Sequence, residues 1–227
     1  MSQKTVIITG SNGNLGTAVT STFLDEGYKV VGTILPGQSA PDESNAQYHA
    51  VDLTNEKDTE DFFNKVKSNH DQLDGVIALA GGFGMSNIAN TSQQDIEGQF
   101  KLNFITAYNT ARYGYNWMRE TGGGRITLVS AKPALESGAF EVLPYAIAKR
   151  AVAHLAEILN EKANEDHIVT SVIAPGIIDT PPNREAMSSM DFSDWTTPEA
   201  IANNILFLHS AKAEALRHPV AKLYNNI

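Results

Sequence analysis

Thr5-Val6-Ile7-Ile8-Thr9-Gly10-Ser11-Asn12-Gly13-Asn14-Leu15-Gly16 stands near the start of the chain. Val6-Ile7-Ile8 has the length and composition of a buried strand, and a helical pattern follows over 13–25. The glycines between them let the backbone turn tightly and let a pyrophosphate come close. The N-terminus of the next helix then offers free N–H groups and the positive end of its dipole. An ordinary tight strand-to-helix turn would read the same in isolation, so context has to decide. No Lys-Ser or Lys-Thr pair follows, which excludes a nucleotide-hydrolysing P-loop.

The context is an alternation of strands and helices. Further strands are expected over 28–33, 48–51 (ending at Asp52), 75–80, 126–129 and 168–174, with a short last one over 220–224. Helices are expected over 55–68, 93–119 and 144–164. Another starts at Thr197-Pro198-Glu199, a capping threonine with proline at the first helical position and an acid in the first turn. Six to seven apolar strands alternating with helices predict an α/β fold: a parallel sheet with helices on both faces. The polar stretch 36–47 reads as a surface loop, and the whole span 1–227 as one domain.

Composition narrows the function. The chain has 227 residues, 42% of them hydrophobic and 19% charged, enough for a large core. Its net charge is −9, with only 17 Lys and Arg, so no general nucleic-acid binder and no membrane-surface binder is expected. There is no cysteine, which excludes disulfides, thiolate zinc, iron–sulfur clusters and a cysteine nucleophile, and agrees with a cytoplasmic protein. No charged leader precedes the first strand, so no signal peptide is expected. Every apolar run falls far short of the ~18 residues that span a bilayer. The six histidines show no metal-ligand spacing, so no metal site is expected.

Tyr145-Ala146-Ile147-Ala148-Lys149 places a phenol and an ammonium on one helix face. The ammonium would stabilise phenolate and lower the tyrosine pKa. The phenol could then give a proton to a reduced carbonyl or imine, or take one from an alcohol. A partly buried tyrosine beside a surface lysine is the plain alternative. At the end of the second strand, Gly32-Thr33-Ile34-Leu35 carries neither an acid for ribose hydroxyls nor a cation for a 2′-phosphate. Thr33 could bond either, so NAD or NADP stays open. Asp52 reads equally as a contact to an adenine amino group and as a helix-start residue beside Thr54.

Thr9-Gly10 with its following glycines, Asp52, Ala80-Gly81, Asn103, Tyr145-x-x-x-Lys149 and Pro175-Gly176 occur together in one order. In this the chain resembles the short-chain dehydrogenase/reductase family over about residues 4–210. The resemblance implies a Rossmann-type doubly wound fold, an NAD or NADP cofactor and hydride transfer to or from a small-molecule substrate. The catalytic set it implies is Tyr145 as acid/base, Lys149 as its partner, Asn103 holding a water of the proton relay, and Ser130. The cofactor-binding set is Gly10, Asn12, Asn14, Leu15, Gly16, Thr33, Asp52, Leu53, Ala80, Gly81, Lys149, Pro175, Gly176, Ile178 and Thr180. The helices holding Asn103 and Tyr145 form the common dimer surface in this family, so a homodimer or homotetramer is expected.

Two positions depart from the family pattern. Asn14 stands at the second glycine position; Gly13 is expected to take the tight turn one residue earlier, and Asn tolerates left-handed dihedrals. Ala131 stands where the family usually has a substrate-binding serine. Ser130 lies one residue earlier and faces the other way unless the strand bulges.

The missing serine, with Ala80-Gly81-Gly82-Phe83, Ala131-Lys132-x-Ala134-Leu135, Asp179-Thr180-Pro181-Pro182-Asn183-Arg184 and the stretch 190–196, is similar to the quinonoid dihydropteridine reductase subfamily. A protonated quinonoid ring needs less oxyanion support, which would make the loss of serine tolerable. Ile34, in place of an acid, and Asn103 depart from that subfamily. The stretch 180–196 is read as a substrate lid, in which Phe192 and Trp195 either cover the core or face a flat substrate. Three functions follow: a general carbonyl or imine reductase, a dihydropteridine reductase proper, and a dinucleotide-sensing protein without chemistry.

Overall fold

The computed structural model describes residues 3–41 and 45–225. The middle of the 36–47 loop and both extremes of the 1–227 span lie outside the described residues. Seven strands are present: β1 (Thr5–Thr9), β2 (Lys29–Ile34), β3 (Gln47–Ala50), β4 (Gly75–Ala78), β5 (Gly124–Val129), β6 (Ile168–Pro175) and β7 (Val220–Leu223). They form one sheet in the order β3-β2-β1-β4-β5-β6-β7, every pairing parallel. The winding reverses between β1 and β4, and the crevice at such a reversal, beyond the strand C-termini, is where doubly wound sheets bind ligands.

Helices cover both faces, and the period-two alternation of the strands says which residue meets which helix. Val6 and Ile8 of β1, Ile77 of β4 and Ile173 of β6 pack with Val19 and Phe23 of α1 (Asn14–Asp25) and Ile201 and Ile205 of α9 (Pro198–His209). Ile7, Val76, Leu128 and Val172 point the opposite way. They meet Phe62 and Phe63 of α2 (Glu56–Lys67), Ala111 and Trp117 of α4 (Thr106–Thr121), and Val152 and Ala156 of α6 (Leu143–Asn160). At the start of α2 the Asn55 side chain accepts from the Lys57 and Asp58 N–H groups.

The continuous helix expected over 93–119 is three segments. α3 (Gln93–Gln99) passes into a π-helical turn (Phe100–Ile105) and then into α4. A π turn lies inside an otherwise helical run, and the reading of 93–119 as one helix does not separate it. The helix expected over 144–164 ends at Asn160, because the Asn160 amide turns to bond both polar groups of the Thr170 backbone, at 2.7 and 2.8 Å. A one-turn helix α7 (Ala163–Asp166) follows. Two further short helices fall where no helix is expected, α5 (Lys132–Leu135) and, in the stretch read as a lid loop, α8 (Pro181–Ala186). Among the described residues no helix is long and apolar enough to cross a membrane, and no group of His, Asp or Glu gathers to hold a metal ion.

Candidate active site

The first corner of the crevice is built from backbone. Gly10 has φ +62°, and a Cβ there would lie 3.3 Å from the Ala80 backbone. A Cβ on Gly16 would lie 2.0 Å from the Gly10 carbonyl oxygen, so only glycine lets α1 seat this close to the turn. Gly13 is the extended N-cap of α1, with φ −76°, and Asn14 its first helical residue. The left-handed turn therefore belongs to Gly10, not to Gly13, and Asn14 needs no left-handed tolerance. The N–H groups of Asn14, Leu15 and Gly16 have no acceptor within their own helix. Here the chain fits the pyrophosphate of a dinucleotide.

The adenosine side differs from expectation at Thr33, which is buried to 1% exposure. Its carbonyl accepts from the Ser11 N–H and hydroxyl, both at 3.0 Å. Residues 35–41 are all exposed, and Gln38 accepts from the Asn12 amide at 2.8 Å. Asp52 accepts from the Thr54 N–H and hydroxyl at 2.9 and 2.7 Å through one oxygen, which holds its carboxyl below the usual range. The helix-start role thus takes one oxygen; among the described residues the second makes no hydrogen bond. Leu53 is buried, and its carbonyl accepts from the Asn109 amide at 3.0 Å.

The next residues close in on a single point. The Ala80 N–H donates to the Thr9 hydroxyl at 3.1 Å, tying the ends of β1 and β4 together. A Cβ on Gly81 would lie 2.6 Å from Asn103 Oδ1 and 3.4 Å from Lys149 Nζ, so Gly81, Asn103 and Lys149 share one small volume. Asn103 sits in the π turn, and its side chain is bonded at both ends. Oδ1 accepts from the Gly82 N–H at 3.1 Å, while Nδ2 donates to the Gly82 carbonyl and to Gln99 Oε1, both at 2.9 Å. Both Nδ2 hydrogens are therefore taken, while Oδ1 keeps one acceptor site. Gln99, one helical turn before Asn103, is a residue that i, i+4 spacing could have suggested.

Tyr145 and Lys149 lie one turn apart on α6. Lys149 is 6% exposed, and its Nζ donates to the Val129 carbonyl at 3.0 Å. It joins none of the ion pairs found among the described residues. Burial lowers its pKa from 10.5 to about 8. Burial also pushes the Tyr145 phenol up to about 12, opposite to the lowering expected from the pair. The reason is geometric: Nζ sits 5.9 Å from the Tyr145 ring centre, against the ring face, so desolvation outweighs its attraction for phenolate. Phe83 stands edge-on to the same ring at 5.1 Å, and its own ring is largely exposed.

Ser130 is buried, and its hydroxyl donates to the Lys149 carbonyl at 2.8 Å. It faces α6, and no bulge turns it. Ala131 follows as the residue before α5 and carries no hydroxyl. Lys132 Nζ rests 5.4 Å over the Tyr224 ring.

On the far side of the crevice Pro175 ends β6, and the Gly176 N–H donates to the Leu223 carbonyl at 3.0 Å. Ile178 is half-buried, and its carbonyl accepts from the Asn183 amide at 2.8 Å. Thr180 is buried and caps α8 through the Asn183 N–H at 3.4 Å. Arg184 pairs through two nitrogens with Asp179 at 2.5 and 2.7 Å and lies 4.9 Å over Phe192. Phe192 in turn packs on Trp195 at 4.6 Å. Trp195 is 2% exposed and covers core; Phe192 stays half-buried.

A family model described as short chain dehydrogenase matches residues 4–191. Dihydropteridine reductase of Dictyostelium discoideum is 25% identical over 207 residues, covering 89% of this chain and 86% of that one. Human dehydrogenase/reductase SDR family member 11 is 26% identical over 235 residues, covering 91% and 88%. A solved structure, ElxO with NADP bound, superposes with a TM-score of 0.88 at 23% identity, covering 98% and 97%, and so shares the fold. The backbone cradle at Gly10, the buried Lys149 beside Tyr145 and the match over most of the length agree: this chain is a member of the short-chain dehydrogenase family, an NAD(P)-dependent oxidoreductase.

Proposed function

We propose that the protein reduces a carbonyl or imine-like carbon of a small flat substrate, with Tyr145 as the proton donor. The observation that carries this is Lys149, a buried ammonium paired with no carboxylate among the described residues. Burying a charge without a counter-ion is costly, and such groups concentrate at functional sites. The nicotinamide, when bound, supplies hydride at C4 or takes it back. In reduction the substrate carbon gains that hydride, and the Tyr145 hydroxyl gives its proton to the substrate oxygen or nitrogen. A phenol held at about 12 is protonated throughout the neutral range, as this direction requires. Lys149 then stabilises the phenolate that forms.

Gly10, Asn14, Leu15 and Gly16 would hold the pyrophosphate, with Asn12 at its edge. Asp52, Leu53, Ala80 and Gly81 would border the adenosine, and Pro175, Gly176, Ile178 and Thr180 the nicotinamide. Asn103 would act through its main-chain carbonyl, since its amide is taken. The stretch 180–196 would close over substrate with Phe192 as its aromatic face. The exposed Phe140, Ile147 and Ile158 on and beside α6 give a homodimer or homotetramer an apolar contact. A cytoplasmic location fits the absence of cysteine.

A narrower reading is favoured by Ala131. With Ser130 turned to Lys149, no serine hydroxyl stands at the usual place to support a ketone oxygen. A protonated quinonoid dihydropterin needs no such donor, and the exposed Phe83 offers its ring a flat wall. Oxidation of NADH and NADPH would be followed with quinonoid dihydropterin beside a panel of aromatic ketones. Turnover of pterin well above every ketone supports the narrow reading, and ketone turnover alone leaves the general one. NADH binding with no turnover of either class would mean a dinucleotide sensor.

A further inference from the structure

The end of the sheet opposite Tyr145 holds a second feature. Arg125 opens β5 and His167 precedes β6, and between them lies a cavity of about 460 Å³ that Arg217 and Glu214 also line. Its charge is unusual for a chain of net charge −9. Two guanidiniums and an imidazole face one carboxylate. The arginine ion pairs among the described residues are Arg112–Glu56 and Arg184–Asp179; Arg125 and Arg217 belong to none.

Arg125 is held with its hydrogen bonding incomplete. Nη2 donates to the Ala213 carbonyl at 3.1 Å, while Nη1 is shut off from solvent with no acceptor. Burial and the nearby Arg217 charge both disfavour its cationic form, with Glu214 opposing. Arg217 is exposed and donates to the backbone carbonyls of Glu214 and Leu216. Two like charges kept together around a roomy cavity, neither in an ion pair among the described residues, are poised for an anion. Two forked guanidiniums beside an imidazole offer enough donors for the several oxygens of a phosphate.

We propose that this cavity binds a phosphate group, clamped between Arg125 and Arg217 with His167 as a further donor. The site is separate from the hydride-transfer crevice and stands whether or not that reading holds. Its place gives it a route to the crevice. β5 runs from Arg125 to Val129, whose carbonyl holds Lys149, and β6 runs from beside His167 to Pro175.

The test is thermal unfolding with inorganic phosphate against chloride at matched ionic strength, with saturating NADH to occupy the pyrophosphate cradle. At about ten times its Kd, phosphate should raise Tm by about 4 °C over chloride. Arg217→Ala should abolish that rise, and so should Arg125→Met. Glu214→Gln should increase phosphate affinity about threefold. Glycerol phosphate binding more tightly than phosphate would identify a phosphomonoester as the ligand, and equal binding the free ion. A rise no larger than that in chloride, or one that survives in Arg217→Ala, overturns the proposal. Arg217 is exposed, so its variant decides the matter even if Arg125→Met does not fold.

Discussion

The two corners of the crevice are held by different means. At Gly10–Gly16 everything is backbone: one left-handed glycine, one glycine that admits a carbonyl where a Cβ cannot fit, and free N–H groups at the start of α1. At Tyr145–Lys149 everything is side chain: a buried ammonium hung from the Val129 carbonyl, a desolvated phenol, and Ser130 turned away. The first corner is at rest. The second keeps a charge in a place that disfavours it, which is what a proton-transfer site requires and a purely structural one avoids. Substitutions should therefore harm the first corner through folding and cofactor binding, and the second through chemistry.

Gly16→Ala should have the largest effect. The new methyl meets the Gly10 carbonyl oxygen, and neither backbone can yield without moving α1. A loss of about 3 kcal/mol, or roughly 10 °C in Tm, is expected with NADH affinity largely gone; calorimetry with and without NADH reads both. An unchanged Tm would mean that the corner is looser than its geometry.

Lys149→Met should separate the corners most sharply. Charging the buried lysine costs about 3 kcal/mol at neutral pH, from the displacement of its pKa to about 8. Leaving the Val129 carbonyl without a donor offsets about 2 kcal/mol of that, so the variant should be about 1 kcal/mol more stable while losing turnover. The sign with pH follows from proton binding. Between about 8 and 10.5 the unfolded chain holds this proton more firmly than the folded one, so wild-type stability gains as pH rises through that window. Denaturant titrations at either end of it should show the gain in wild type and its loss in Lys149→Met.

Ser130→Ala should have the smallest effect. It removes one buried hydrogen bond to the Lys149 carbonyl, worth about 1 kcal/mol, and should leave kcat within a few-fold. A large fall in kcat would place this hydroxyl on the substrate, against the direction it faces.

Much of this was legible in the sequence, for local reasons. The parallel sheet with helices on both faces followed from short apolar runs alternating with helices, and the tight first corner from glycines in a strand-to-helix turn. What escaped depends on long-range contacts. Thr33 sits at a strand end where a ribose contact is reasonable, but its burial depends on how Ser11 packs over Gly32. The π turn at Asn103 comes with the bonds from its side chain to Gly82 and Gln99, and a reading of 93–119 as one continuous helix passes over it. The phenol moved up because it is buried, and i, i+4 spacing gives nearness to the ammonium without revealing that burial. Helix α8 did carry a local signal, Thr180-Pro181-Pro182, the same capping pattern that marked α9.

Proton transfer by Tyr145 is tested most directly by single-turnover oxidation of bound NADH by a saturating accepted substrate, in wild type and in Tyr145→Phe. The variant should bind NADH as wild type does and transfer hydride about 100-fold more slowly or worse, the size of a general-acid contribution. Equal rates in the two proteins would remove Tyr145 from the chemistry and contradict the account.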